Sequence, residues 1–192
     1  MPKYLPQILV GVAAGFVMAF LIRVFVFHNV LAPTLYGLGT GAFVAYILAN
    51  LAGNKRVANA SDATKAETLK MIPPPGMALL VVYREGFVAK LAGLNLALDG
   101  RDFAQLTSPK FTALTLAPGP HTLTAAFGGL AGAQSKAASH AFQADAGSVT
   151  AVRINAQMGM VQGAVKFTPE ADLGAVQAKL ASMPMVAAAA AA

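Results

Sequence analysis

Two long apolar runs open the chain. Leu5 to Phe27 carries a single charge, Arg23, near its far end, and Val30 to Leu51 carries none. A helix crosses a hydrocarbon core with about 20 residues at roughly 1.5 Å each, so each run predicts a membrane-spanning helix. Residues 1–53 are therefore expected to form a transmembrane helical hairpin. Small residues recur at every fourth position, as Gly11, Gly15 and Ala19 in the first run and as Gly37, Gly41, Ala45 and Ala49 in the second. Positions four apart share a helix face. The two matching ridges are expected to let the helices approach closely, because small residues supply dispersion contacts where lipid gives no hydrophobic drive. His28 and Asn29 fall in the intervening turn, and Pro33 falls in the first turn of the second helix, where a missing N–H costs little.

From Asn54 the pattern turns polar. Thr64 and Glu67 are spaced as a capping box ahead of Leu69, which predicts a short helix. Pro73, Pro74 and Pro75 then forbid helix and favour an extended spacer, with service as a ligand for an aromatic groove as the alternative. Residues 54–76 read as a linker, with the domain boundary at the prolines.

After Met77 the apolar period becomes two. Met77 to Tyr83 is apolar on both faces, as a central strand requires. Leu94, Leu96 and Leu98 alternate with polar or small residues up to an Asp99-Gly100 turn. Leu114 to Leu116, the Ala117-Pro118-Gly119-Pro120 bend and His121 to Phe127 read as strand, turn, strand. Gly128, Gly129 and Gly132, with Gln134 to Lys136, suggest a flexible tip. Ser139 to Ala144, Val149 to Ile154 and Met160 to Phe167 complete about seven strands, with a turn at Gln157 to Gly159, a spacing that argues for an antiparallel sandwich over 77–168. A closing helix in 169–192 is expected to take Thr168 as N-cap, Pro169 in its first turn and Glu170 and Asp172 at its positive end. Leu173, Val176, Leu180 and Met183 would form its apolar face, Pro184 would end it, and Ala187 to Ala192 would be tail.

Composition sharpens the membrane reading. The chain has 192 residues of which 11% are charged, and its mean hydropathy is +0.59. The formal net charge is +6. Before Met77, Lys3, Arg23, Lys55, Arg56, Lys65 and Lys70 stand against Asp62 and Glu67, so most of the excess flanks the apolar runs. Lys3, Arg23, Lys55 and Arg56 are the expected membrane-interface residues, and the bias of Lys3, Lys55 and Arg56 to the hairpin's open side places both termini in the cytoplasm. A periplasmic β domain is the alternative. No basic run is interleaved with aromatics, so nucleic acid is not an expected partner.

Several turns carry a resemblance. Val82-Tyr83-Arg84, Leu98-Asp99-Gly100, the Leu116-Ala117-Pro118-Gly119-Pro120-His121-Thr122-Leu123 bend and Asp145-Ala146-Gly147 together resemble an uncharacterised bacterial β-domain family related in pattern to PEGA-type domains. The resemblance covers about Met77 to Phe167. It implies a small sandwich without established catalytic residues, common in lipoproteins and membrane-tethered proteins. This chain has no cysteine, so it lacks a lipid-attachment site, and the hairpin would do the anchoring. The expected fold is thus a membrane-anchored α+β chain: a two-helix hairpin, an Ig-like or PEGA-like antiparallel β-sandwich, and a C-terminal amphipathic helix.

Candidate chemistry is sparse. Without cysteine, disulfides and thiolate catalysis are excluded. Asp99 and Asp145 precede glycines, where a short carboxylate caps a turn. Asp99 with Asp102 lacks the six or more oxygens of a hard-cation site. The histidines, His28, His121 and His140, have no zinc spacing. His121 reads as a satisfied, partly buried imidazole beside a turn, and Asp99, Gly100, Pro118, Gly119 and His121 as turn-structural residues. A cross-strand approach of His121 and His140 stays open. Arg84, Arg101, Arg153 and Lys166 read as solvated strand positions, with headgroup contact as the alternative. No nucleophile elbow, phosphate loop or dinucleotide fingerprint is present. No cofactor or metal is expected. The expected role is a non-enzymatic bacterial inner-membrane accessory or scaffold protein, partnered by the bilayer and by an integral membrane protein or a second copy. A membrane-tethered lipid- or small-ligand-binding sensor or carrier is the alternative.

Overall fold

The computed structural model describes residues 4–26, 30–133, 135–157 and 164–189. The chain forms two compact units, Met1–Gly53 and Asn54–Ala192. Lys3, His28 and Asn29 lie outside the described residues, as do Gln134, residues 158–163 and the last three alanines.

The first unit is a pair of helices, α1 (Leu5–Phe25) and α2 (Leu31–Leu51), both long and apolar enough to cross a membrane. Pro6 occupies the first turn of α1 and Arg23 its last, while Pro33 is buried early in α2. The helices meet backbone to backbone. A Cβ built on Gly15 would lie 2.5 Å from the Gly37 carbonyl oxygen, and one on Gly41 would lie 2.7 Å from that of Gly11. Gly37 likewise faces Ala19, and Gly11 faces Ala45, each pair leaving 2.6 Å between a new Cβ and the alanine Cβ. Ala49 is buried as well. Gly39, by contrast, has open space around it. The outward side chains, among them Leu9, Val12, Phe16, Phe20, Leu35, Tyr36 and Phe43, are large, apolar and exposed.

The second unit holds two four-stranded sheets. The strands are β1 (Ala78–Arg84), β2 (Leu94–Leu98), β3 (Arg101–Leu106), β4 (Lys110–Leu116), β5 (Gly119–Phe127), β6 (Ala138–Ala144), β7 (Val149–Gln157) and β8 (Ala164–Glu170). One sheet has the order β4-β1-β7-β8 and the other β3-β2-β5-β6. Their inner faces share a core that includes Leu80, Val82, Val152 and Ile154 from the first and Leu94, Leu96, Phe103 and Leu123 from the second.

Several expectations need correction. The arrangement is sandwich-like but not wholly antiparallel, because β1 runs parallel to β7. An alternating pattern fixes which face a side chain takes, and says nothing of which strand lies beside it. Among the described residues there are eight strands, the unforeseen one being β3, whose Asp102 and buried Gln105 interrupt its apolar period. Strands β4 and β5 are not hairpin partners, since the 117–118 bend carries the chain from one sheet to the other. The Asp99-Gly100 turn does form a tight β2–β3 hairpin, with φ of 50° and 82° in succession. That left-handed pair is what a type I′ connection demands. Gly129–Ala133 is a short helix, α4, rather than a loose tip.

Residues 54–76, read as a linker, belong to the second unit. Helix α3 (Asp62–Leu69) starts earlier than the Thr64–Glu67 spacing implied. Its N-cap is Ser61, whose Oγ accepts from the Thr64 backbone N–H at 3.1 Å. Upstream, the Ala60 N–H donates to the Met185 carbonyl and Asn59 bridges Val186. The far end of the chain is drawn in too. Val186 N–H donates to the Phe111 carbonyl, Phe111 N–H to that of Pro184, and Ala187 N–H to that of Ala58, so residues 184–186 pair with the start of the β4 edge at Phe111.

The last helix, α5 (Leu173–Ala181), is capped by Asp172, whose Oδ1 accepts from the Ala175 N–H at 2.9 Å. Thr168, Pro169 and Glu170 instead finish β8. Pro169 is tolerated there because β8 is an edge strand with only one neighbour to bond. Leu173, Val176, Leu180 and Met183 pack on Leu79, Val81 and Tyr83, so β1 is buried on both faces.

The helix contact yields a contrast between two glycines. Gly15→Val drives a side chain into the α2 backbone and should destabilise the helix pair by about 1–3 kcal/mol, the usual cost of overpacking. Gly39→Val, in open space, should cost far less. Unfolding in mixed detergent micelles, followed by helical circular dichroism, compares them; equal effects would contradict the packing described.

Candidate functional site

Three polar clusters punctuate the second unit, and β1 touches two of them. Its alternate residues Leu80 and Val82 face the inter-sheet core. The period carries Arg84 to the same face, where it is only 1% exposed. This corrects the expectation of a solvated arginine. Its Nη1 donates to the carbonyls of Ala92 at 2.5 Å and Leu106 at 2.9 Å, and its Nη2 to that of Ala89 at 2.6 Å. The Phe127 ring lies 5.1 Å from the guanidinium carbon, within cation–π range. Burial pushes the Arg84 pKa down to about 10, which leaves it charged at neutral pH. Stranding a buried carbonyl costs about 1–3 kcal/mol. A guanidinium that satisfies three of them is therefore a clamp on the 86–92 loop and on the end of β3.

The second cluster lies between β1, β7, β8 and α5. Tyr83 Oη donates to Glu170 Oε1 at 3.2 Å. Arg153 reaches Glu85 through Nη1 at 3.1 Å and Glu170 through Nε at 3.0 Å. Lys179 of α5 donates to Glu85 Oε2 at 3.0 Å and sits 5.4 Å above the Tyr83 ring. Burial, then the Glu170 carboxylate, push the Tyr83 hydroxyl up to about 12. Burial would raise the Glu85 carboxyl, but bonds from Lys179 and Arg153 outweigh it and hold Glu85 below its ordinary value. Arg153 is thus no isolated charge. The alternating signs neutralise one another and tie α5 to the sheet.

The third cluster is at the opposite end of the strands. His121, the third residue of β5, has Nδ1 2.6 Å from Asp99 Oδ2 and Nε2 2.9 Å from the Ala117 carbonyl oxygen. Asp99 Oδ1 also accepts from the Thr122 N–H at 2.8 Å. A carboxylate and a carbonyl can only accept, so meeting both partners requires both ring nitrogens to donate, and the cationic imidazolium suits the site best. Burial works against that charge, but the Asp99 and Ala117 bonds outweigh it and raise the His121 pKa. The bond from His121 in turn holds Asp99 below its ordinary value. Asp99 serves the neighbouring strand rather than its own turn. Beside it, Gly100, Pro118 and Gly119 shape the flanking bends.

His121 and His140 do not touch. Each has the Phe142 ring as a neighbour, 5.8 Å from His121 and 6.3 Å from His140, and His140 also stacks on Phe167 at 5.8 Å. Asp99 and Asp102 are likewise separated by their partners, Asp102 pairing with Lys55 Nζ at 3.1 Å. Arg56 is exposed. Among the described residues, no group of three or more His, Cys, Asp or Glu side chains is placed to hold a metal ion.

Sequence reasoning missed Arg84, Glu85 and Arg153 as partners. For Arg84 the signal existed, since strand phase puts it in line with two core residues. For the ion pairs it did not, because β7 and β8 lie some seventy or more positions further along the chain. No protein-family model and no curated protein matches this sequence.

The Asp99–His121 pair should make stability pH-dependent. A carboxyl held low contributes fully above its ordinary pKa of 3.8, and an imidazole held high contributes fully below its ordinary 6.5. Between those values the pair contributes in full. It is lost as pH rises past 6.5 through the raised His121 value, and as pH falls below 3.8 through the lowered Asp99 value. With Asp99 half-exposed, the effect is about 0.5–1 kcal/mol after solvent screening. Denaturant unfolding at pH 5.5 and 8.5, as roughly bracketing conditions, should show that loss in the parent chain and not in His121→Gln. Identical pH slopes would contradict the assignment.

Proposed function

We propose that the protein is a non-catalytic, membrane-anchored scaffold. In this reading α1 and α2 span a bacterial inner membrane as a hairpin, both termini face the cytoplasm, and the β domain is presented at the surface for contact with a membrane-protein partner. The observation that carries it is the helix pair: its small residues are spent on a backbone contact inside the hairpin, while large apolar side chains occupy the outward faces. Such faces suit hydrocarbon or the helices of a neighbour. Lys55 and Arg56 lie four and five positions past Leu51, the end of α2, and favour a cytoplasmic open end.

The polar clusters support a binding role over a catalytic one. Both His121 nitrogens already face acceptors, which leaves neither to take a proton from a substrate. The Arg84 and Glu85 clusters hold loops and a helix in place. The resemblance of the turns to PEGA-type domains fits the same role. A ligand-carrier reading gains less support, because Leu80, Val82, Leu96 and Leu123 fill the space between the sheets with 0% exposure each.

The chain contains no cysteine, so an introduced one is a unique reporter. Ala146→Cys, on an exposed turn of the β domain, should resist a membrane-impermeant maleimide in intact spheroplasts and label only after lysis. Labelling before lysis would place the domain outside the cytoplasm. Extraction in mild detergent should give a particle larger than one 19.6 kDa chain with its micelle. A lone monomer would remove the basis for a scaffold.

A further inference from the structure

The second unit hides its large apolar side chains, with three exceptions among the described residues: Ile72 at 71% exposed, Phe87 at 89% and Leu91 at 64%. Two of the three share one loop, and Phe87 is more exposed than any large apolar side chain on α1 or α2. Leaving a phenylalanine or leucine in water forgoes the favourable burial of its apolar surface. A loose loop could fold such residues away. This loop is not loose.

Its carbonyls are held almost one by one. Gly86 O accepts from Ser108 Oγ at 2.8 Å, Phe87 O from Lys90 N–H, and Ala89 O from Arg84 Nη2. Lys90 O accepts from Ser108 N–H, Leu91 O from Asn54 Nδ2 at 2.8 Å, and Ala92 O from Arg84 Nη1. Gly93 N–H donates to Asn54 Oδ1 at 2.5 Å, and the adjoining Lys55 N–H donates to the buried Gln105 Oε1 at 2.6 Å. The buried arginine and Asn54 thus fix the loop so that Phe87 and Leu91 point outward, with exposed Lys90 between them.

Asn54 identifies the partner. It follows Leu51, the last residue of α2, by three positions. Three residues of extended chain cover at most about 11 Å. Whatever attitude the domain adopts, covalent connection alone keeps the Asn54-bound loop near the end of α2. If α2 spans a bilayer, that end lies in or beside the headgroup layer, which is about 5–8 Å deep on each side of the hydrocarbon core. Phenylalanine and leucine beside lysine are the residue types that seat in this layer, the rings and alkyl chain among upper acyl carbons and the ammonium on anionic headgroups.

We propose that the 86–92 loop is a second, non-helical membrane contact, in which Phe87 and Leu91 enter the lipid interface beside α2 and Lys90 meets anionic headgroups, fixing the attitude of the β domain on the bilayer. The inference rests on the transmembrane reading of α1 and α2.

The chain has no tryptophan, so single substitutions give clean fluorescence reporters. Phe16→Trp on α1, Phe87→Trp on the loop and Ala146→Trp on a turn at the opposite end of the strands would each be placed in the full chain. Each variant is reconstituted in nanodiscs of phosphatidylcholine with phosphatidylglycerol, either unbrominated, brominated on the upper acyl carbons, or brominated deeper in the chains. Phe87→Trp should emit further to the blue and lose about half its intensity or more to brominated lipid, while Ala146→Trp is unaffected, as expected of an interfacial ring. Phe16→Trp quenched by bromine deeper in the chains but Phe87→Trp unquenched would overturn the loop contact and leave the anchor standing. A blue-shifted but unquenched Phe87→Trp would mean burial against protein and would also overturn it. Equal quenching of Phe87→Trp and Ala146→Trp would do the same. An unquenched Phe16→Trp would overturn the transmembrane reading and this inference with it.

Discussion

The close approach of two helix backbones governs the first unit of this molecule. Where Gly15 meets the Gly37 carbonyl and Gly41 meets that of Gly11, no Cβ fits between the chains. That contact uses up the small-residue ridges within the hairpin itself. It leaves the large apolar side chains pointing outward, and it makes one self-contained body of α1 and α2. A partner that docks on this unit would therefore meet Leu, Val and Phe faces rather than the glycines. The glycines act by bringing the two helices together, and the outward faces decide what surrounds them.

The second unit has its own organising device in β1. This strand is buried on both faces, pairs with β4 and β7, and ends at Arg84, with Glu85 just beyond it taking the opposite direction. Arg84 turns inward and clamps two loop carbonyls and the one that ends β3. Glu85 turns toward α5 and joins the ion pairs that tie it down. A buried cation without a carboxylate partner is costly, and here three carbonyls and an aromatic face offset that cost. The opposite end of the strands is organised by Asp99 and His121, which join the β2–β3 turn to the start of β5. In each case ionisable groups hold backbone in place.

Much of this was legible in advance, and the boundary is instructive. The apolar runs, the glycine ridges, the Asp99-Gly100 hairpin and the apolar face of α5 all depend on residues close together in the chain, where period and turn chemistry suffice. The errors arose where distant segments meet. The parallel β1–β7 pairing, the docking of residues 184–186 on β4 and the attachment of Asn54 to the 86–93 loop leave no local trace. The end of the hairpin at Gly53 agrees with the sequence reading, but residues 54–76, taken as a linker up to the proline triplet, are held in the second unit by hydrogen bonds from Asn54, Lys55 and Ala60. Thr168-Pro169-Glu170 fits a helix start as well as an edge strand, and pairing with β7 decided for the strand. Of the polar residues, His121 was readable as a bonded imidazole because its turn is local. Arg84 was misread because its charge was weighed above its strand phase.

The account depends on the first unit being surrounded by lipid. Alkaline carbonate washing of membranes from cells expressing the intact chain tests this most directly. The account predicts that the chain stays in the membrane pellet through the wash and is released only by detergent, whereas a chain starting at Asn54 is washed free or retained only weakly. Recovery of the intact chain as a detergent-free, monodisperse soluble protein would contradict it.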